Sequence, residues 1–166
     1  MLEWYRVGDN LESGMKLLAD FVQDLFGCDR VDRISYRALF QRELSIDPHR
    51  ATVGELQALC RRHNIRLSEE SKGSEDRDFW LNLLLAHVIE PQLGFDYPAI
   101  VFDWPASQSA LAIIREDQPP VAERFELFIK GLEVANGYHE LLDPQELQKR
   151  NRQQNLWRLK EGLEAF

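Results

Sequence analysis

Cysteine is scarce in this chain, and long apolar runs are missing altogether. Its two cysteines, Cys28 and Cys60, stand far apart with no C-x-x-C spacing and no histidines at metal-ligand intervals. That pattern argues against a cysteine-ligated metal and leaves two reduced thiols. No stretch approaches the roughly 20 apolar residues that cross a bilayer. The opening MLEWYRVGDN also lacks the basic, then apolar, then small-residue order of a secretion signal. The expectation is a cytoplasmic protein without a membrane partner. Positive charge is short as well: 20 Lys and Arg against 28 Asp and Glu give a net charge of -8. Such a balance disfavours unassisted binding to a phosphate backbone. What the 166 residues do have is 44% hydrophobic content, enough to supply the core of one domain over residues 1–166.

The first half reads as helices. Met15, Leu18, Phe21, Val22, Leu25 and Phe26 recur at helical spacing between Leu11 and Phe26, and Gly27 stands where a left-handed cap belongs. Tyr36, Leu39 and Phe40 mark a shorter helix over Ser35 to Leu44, broken at Asp47-Pro48. Thr52 and Glu55 form a T-x-x-E capping box before a helix ending near Asn64. The polar run SEESKGSEDRD predicts an exposed loop, and Phe79 to Ile89 predicts an apolar core helix closed by Pro91.

The second half changes period. AIVFDW is a short β-branched and aromatic run, and ERFELFIK alternates as a strand with one buried face. Lys130-Gly131 then makes a tight turn into LEVANGYHEL, which predicts an antiparallel hairpin. In D-P-x-E, Asp143 can cap a final polar helix that starts at Pro144 and runs toward Phe166. The hairpin raises a difficulty. Glu133 and Glu140 are seven residues apart, and side chains of a regular strand alternate faces, so this odd spacing should separate them. Strand carboxylates are ordinarily just solvated.

The set VAERFELFIKGLEVANGYHEL followed by DPQELQKR, the upstream FDWPASQSALA and the opening MLEWYR resembles the catalytic domain of class II lysyl-type aminoacyl-tRNA synthetases. Within that group PASQSALA and NGYHEL favour the elongation factor P lysine lysyltransferases, paralogues without an anticodon-binding domain. The resemblance runs nearly end to end and implies an α+β fold, an antiparallel sheet with packed helices, as part of a class II core. It further implies ATP and magnesium as cofactors, lysine or β-lysine as substrate, elongation factor P (or, alternatively, tRNA) as acceptor, and a homodimer for the complete protein. Glu3 and Tyr5 would hold the lysine ammonium, and Glu140 would also lie at the substrate. A carboxylate and a phenol at i and i+2 of a strand share a face and suit a buried ammonium. Glu133, Val134 and Asn136 would lie beside the nucleotide, and Glu133 and Glu140 would hold magnesium, for which hard carboxylate oxygens are suitable. A bend or bulge near Asn136-Gly137 would then bring both acids to one face. His139 has no proton to move in that chemistry, and the basic residues of KRNRQQNLWRLK read as a solvated helix face.

Three family features are not complete in the sequence: motif 1, which builds the dimer interface, the arginine of motif 2, and the glycine-rich strand and arginine of motif 3. The expectation is a fragment inactive by itself. Three readings stay open: part of a lysyltransferase acting on elongation factor P, part of a lysyl-tRNA synthetase, and a non-catalytic remnant.

Overall fold

The structure, a computed structural model, describes residues 1–68, 73–160 and 162–165. Part of the expected polar loop, residues 69–72, and the terminal Phe166 lie outside the described residues. Helix α1 (Leu11–Phe26) has the bounds its periodicity predicts. Asn10 accepts from the Ser13 backbone while the Ser13 hydroxyl accepts from the Asn10 backbone, and Gly27 closes the helix at φ 63°. Strand β1 (Asp32–Ser35) leads into α2 (Tyr36–Leu44), capped by Ser35, and then α3 (Val53–Arg62), capped by the expected Thr52 and Glu55 box. Helix α4 (Arg77–Leu84) continues through a π-helical turn at Leu85–Ile89 and a 3₁₀ turn at Glu90–Gln92. Four strands follow, β2 (Ala99–Pro105), β3 (Ile114–Arg115), β4 (Val121–Ile129) and β5 (Leu132–Tyr138), before the polar α5 (Pro144–Lys160).

β4 is the hub of the sheet. β2 pairs along one edge of it, while β3 and β5 take successive stretches of the other. These pairs are antiparallel, but β1 runs parallel to β2, so the sheet is mixed rather than wholly antiparallel. The helical segment between Ser35 and Ala99 provides the crossover that a parallel neighbour requires. β1 itself escapes a sequence reading because its four residues, DRIS, are too few to show a period.

Helices cover both faces of β4, where the alternation predicted one. Phe125 and Leu127 join Ile100 against Leu11, Met15, Leu18 and Val22 of α1. Phe128 and Ala122 face the other way, into a larger cluster with Trp104, Tyr36, Phe40, Leu56, Trp80 and Ile89. Tyr36 stacks on Phe40 with ring centroids 4.6 Å apart and tilts against Trp104 at 4.8 Å, joining α2 to the sheet. Cys28 and Cys60 are both free thiols, and burial pushes the Cys60 thiol up.

The hairpin between β4 and β5 is the predicted one. Ile129 pairs with Leu132 across a two-residue turn in which Lys130 and Gly131 both adopt left-handed φ, 50° and 77°. That is the turn whose twist matches two paired strands. The outer edge of β5 carries no strand among the described residues, and Leu132 and Val134 are exposed there. An unpaired edge with apolar side chains favours association with another edge. Sedimentation velocity at rising concentration is expected to show self-association that Val134→Lys weakens; a parent chain that remains a compact monomer throughout would remove the edge as its cause.

Candidate functional site

The β4–β5 register resolves the odd spacing of the two glutamates. Phe128 pairs with Glu133, but the next pair is Leu127 with Ala135, so Val134 is an extra residue and forms a bulge. Beyond it Glu126 faces Asn136, Phe125 faces Gly137 and Arg124 faces Tyr138. The chain then continues extended until Glu140 lies opposite Ala112. Directly paired residues share a face. Glu133, Asn136, Tyr138 and Glu140 therefore all lie on the face of Arg124, Glu126 and Phe128. One inserted residue changes the parity of everything after it.

The bulge was expected near Asn136-Gly137 and sits instead at Val134. Gly137 has a different reason to be glycine. It lies opposite Phe125, and a Cβ there would stand 2.3 Å from that ring, so the residue makes room for the side chain that docks α1. Asn136 donates from its amide to Glu133 Oε1 at 3.3 Å, which ties these two candidate residues together across the bulge. Val134 is exposed at the bulge itself.

Two residues of this face were missed in the sequence. Glu126 is only 3% exposed and is ion-paired with Arg124. The Arg124 guanidinium lies 4.6 Å over the Trp104 ring, stands 6.0 Å from Tyr138, and donates to the Gln108 carbonyl at 3.1 Å. Burial pushes the Glu126 carboxyl up to about 7 against the opposing pull of Arg124, and the charges of Glu133 and Glu90 add to the rise. Burial and then Glu133 raise Glu90 as well. The available signal was an Arg and a Glu two apart on a strand whose other face is apolar.

Glu3 and Tyr5 are placed differently from expectation. Residues 1–6 lie outside any helix or strand, and both side chains are exposed. No strand among the described residues pairs with this segment, so nothing imposes the strand geometry or the burial on which the shared-face argument rested. The two residues do meet: the Tyr5 hydroxyl donates to Glu3 Oε1 at 2.9 Å. That bond pushes the phenol up, and Glu140 contributes in the same direction. Trp4 anchors the segment by tilting against Phe21 of α1 at 6.1 Å.

Glu133 and Glu140 form no ion pair among the described residues. No group of three or more metal-ligating side chains is assembled among the described residues either. Carboxylates on a shared face offer hard oxygens of the kind that, one or two at a time, share magnesium with phosphates in nucleotide sites. Charge on those phosphates is another matter. Arg124, the arginine this face presents, is committed to Glu126 and Gln108.

Residues 10–165 match the family of class II tRNA synthetases (D, K and N). The chain belongs to this family. Class II synthetase relatives bearing the name elongation factor P--(R)-beta-lysine ligase align over 163 residues, 98% of this chain. Identity is 43% with the protein of Yersinia enterocolitica, 41% with that of Vibrio vulnificus and 39% with that of Pasteurella multocida. The alignments cover 50%, 50% and 49% of those relatives, so the chain spans about half their length. The mixed sheet with helices on both faces is an α+β arrangement consistent with part of a class II synthetase core. Among the described residues no helix is long and apolar enough to cross a membrane.

Two outcomes follow from this geometry. Gly137→Ala drives a methyl into Phe125, and chemical denaturation is expected to show a loss on the order of 1–3 kcal/mol, as for an overpacked core; unchanged stability would mean that the ring has room to move. Glu126 has its ordinary value of 4.5 raised to about 7 by folding, so the folded chain keeps a proton that the unfolded chain releases. The associated stability is complete below about pH 4.5 and is lost as pH rises through about 7, an effect of at most roughly 3 kcal/mol. Melting curves between about pH 5 and about pH 8 are expected to fall with pH in the parent and to flatten in Glu126→Gln. Parallel slopes would contradict a buried, protonatable Glu126.

Proposed function

We propose that the chain is the central part of a lysyltransferase catalytic domain that uses ATP and magnesium to activate lysine or β-lysine, for transfer to elongation factor P. The observation that carries this reading is the common face of Glu133 and Glu140 produced by the Val134 bulge. Magnesium would neutralise and orient the nucleotide phosphates when bound. Glu133 and Glu140 would supply hard oxygens for it, and Asn136 orients Glu133 through its amide. Asn136 borders the nucleotide on the same face, with Val134 beside it at the bulge.

At the other end of the face, Glu140 offers a negative charge to an ammonium group, with Glu3 and Tyr5 as further acceptors. Adenylate formation also needs cationic groups at the developing phosphate charge. Because Arg124 is held by Glu126 and the Gln108 carbonyl, this chain by itself is expected to bind magnesium-nucleotide weakly and not to turn it over. The names of the relatives favour elongation factor P as acceptor, while the family match keeps tRNA as the second reading.

The test is amino-acid-dependent pyrophosphate exchange with lysine and β-lysine, comparing the chain with a full-length relative. Loss of one electrostatic donor lowers rate by about 10²–10³, so the chain alone is expected to fall at least that far below the relative. Replacing with glutamine the relative's residues that match Glu133 and Glu140 should lower exchange to a similar extent. Activity of the chain within about tenfold of the relative, or exchange that ignores both substitutions, would overturn the assignment. Offering elongation factor P and tRNA as alternative acceptors separates the two readings.

A further inference from the structure

The structure assigns Glu123 as a positioning residue for Glu140: its carboxylate, shared between Arg115 and His139, fixes the register that keeps Glu140 on the face of Glu133. This inference deepens the function proposed above and rests on it for the importance of Glu140. The register itself can be measured without that reading.

β4 changes partner at Glu123. Its N–H donates to the Ile113 carbonyl at 2.8 Å, its carbonyl accepts from His139 N–H at 2.9 Å, and Ile113 N–H donates to the His139 carbonyl at 2.8 Å. Three segments are thus joined at one point by backbone bonds alone, and Leu141 N–H to the Leu111 carbonyl adds the next rung. Backbone bonds do not distinguish one register from its neighbour. Side chains must do so, because a slip by one residue would turn Glu140 to the opposite face.

Glu123 provides that distinction. Its Oε2 is 2.5 Å from His139 Nδ1, and its Oε1 accepts from Arg115 Nη1 at 3.4 Å. Arg115 is itself fixed by Asp103 Oδ2 at 2.7 Å and Asp117 Oδ2 at 2.8 Å. Asp103 lies at the irregularity between Phe102 and Trp104 of β2 with a left-handed φ of 57°. This conformation is uncommon away from glycine and is tolerated by aspartate. The cluster borders a cleft of about 380 Å³ under the N-terminus of α1, next to Leu11 and Met15, on the face opposite to Glu140. Slipping the 139–141 segment by one residue would take His139 away from Glu123 and present Glu140 to it, setting two carboxylates against each other. The pair therefore favours one register and penalises the neighbouring one.

A separate brace holds the strand that faces Glu140. Arg150 of α5 donates to the carbonyls of Ala110 at 3.1 Å and Ala112 at 2.8 Å while paired with Glu146. This residue was expected on a solvated face and is a half-buried anchor instead. It fixes the position of the 110–112 segment but carries no information about which residue of β5 lies opposite Ala112.

The experiment is NMR on the 166-residue chain and on Glu123→Gln and Glu123→Ala, read by cross-strand contacts, amide hydrogen exchange and Mn²⁺ broadening. In E123A, the contact between Ala112 and Glu140 is expected to weaken, and exchange at the Ile113, His139 and Leu141 amides to accelerate by about tenfold or more. The pairs from Phe125–Gly137 to Ile129–Leu132 should be untouched, and E123Q, whose amide oxygen still accepts from Arg115 while its NH2 can donate to His139 Nδ1 in the acceptor tautomer, should restore part of the protection. Added Mn²⁺ should broaden Glu133 and Glu140 together in the parent but only Glu133 in E123A, a selective loss that general destabilisation would not produce. Should E123A fail to fold, His139→Ala removes the other end of the same bond and carries the comparison. Protection at the three amides within roughly twofold of the parent, with the Ala112–Glu140 contact intact, would overturn the inference. If Mn²⁺ broadens neither glutamate in the parent, the metal-binding part of the proposed function fails, and the register measurements still decide the role of Glu123.

Discussion

The pairing of β4 with its three neighbours is the constraint on which the other features depend. β4 accepts β2 along one edge and hands the other from β5 to β3, so small irregularities in its ladders decide where side chains go. The bulge at Val134 is the most consequential. Without the extra residue, Glu133 would lie on the α1 side and Glu140 on the side of Trp104 and Tyr36, and no common face would exist. The fold thus uses one unpaired residue to change the parity of a strand, which local propensity could not achieve.

Burial on both faces gives that ladder its rigidity. α1 covers Phe125 and Leu127, and the larger helical layer covers Phe128 and Ala122. The site's face is left partly polar by Arg124 and Glu126, a pair taken out of water and compensated by its contacts with Trp104 and Gln108. Buried pairs of this kind return little net stability for their desolvation. Their effect here is electrostatic: the acids of the site raise one another, and the arginine nearest to them is already engaged.

The two polar networks flanking the sheet act on geometry. Arg115, Glu123 and His139 lie on one face, and Arg150 with Glu146 reaches in from α5. The first holds the 139 end of the segment that carries Glu140, and the second holds Ala110 and Ala112 opposite it. A strand end is the part of a sheet most prone to fray, and this one is fastened by charged groups from other elements.

Much was determined by the sequence alone. The bounds of α1, the capping box of α3, the two-residue hairpin turn and the family itself could be read from periodicity, capping chemistry, turn chemistry and the motifs, because each depends on residues near one another in the chain. The parallel pairing of β1, the burial of Glu126, the bulge at Val134 and the roles of Gly137 and Arg150 could not. Each depends on what lies across a ladder or a packing interface: Phe125 opposite Gly137, Trp104 beneath Arg124, the carbonyl of Ala112 beside Arg150. The exposure of Glu3 and Tyr5 shows the same limit from the other side. A strand-like spacing predicts a shared buried face only when another strand is present to pair with it, and strand partners are a property of tertiary structure, since the hydrogen bonds that define them join residues distant in sequence.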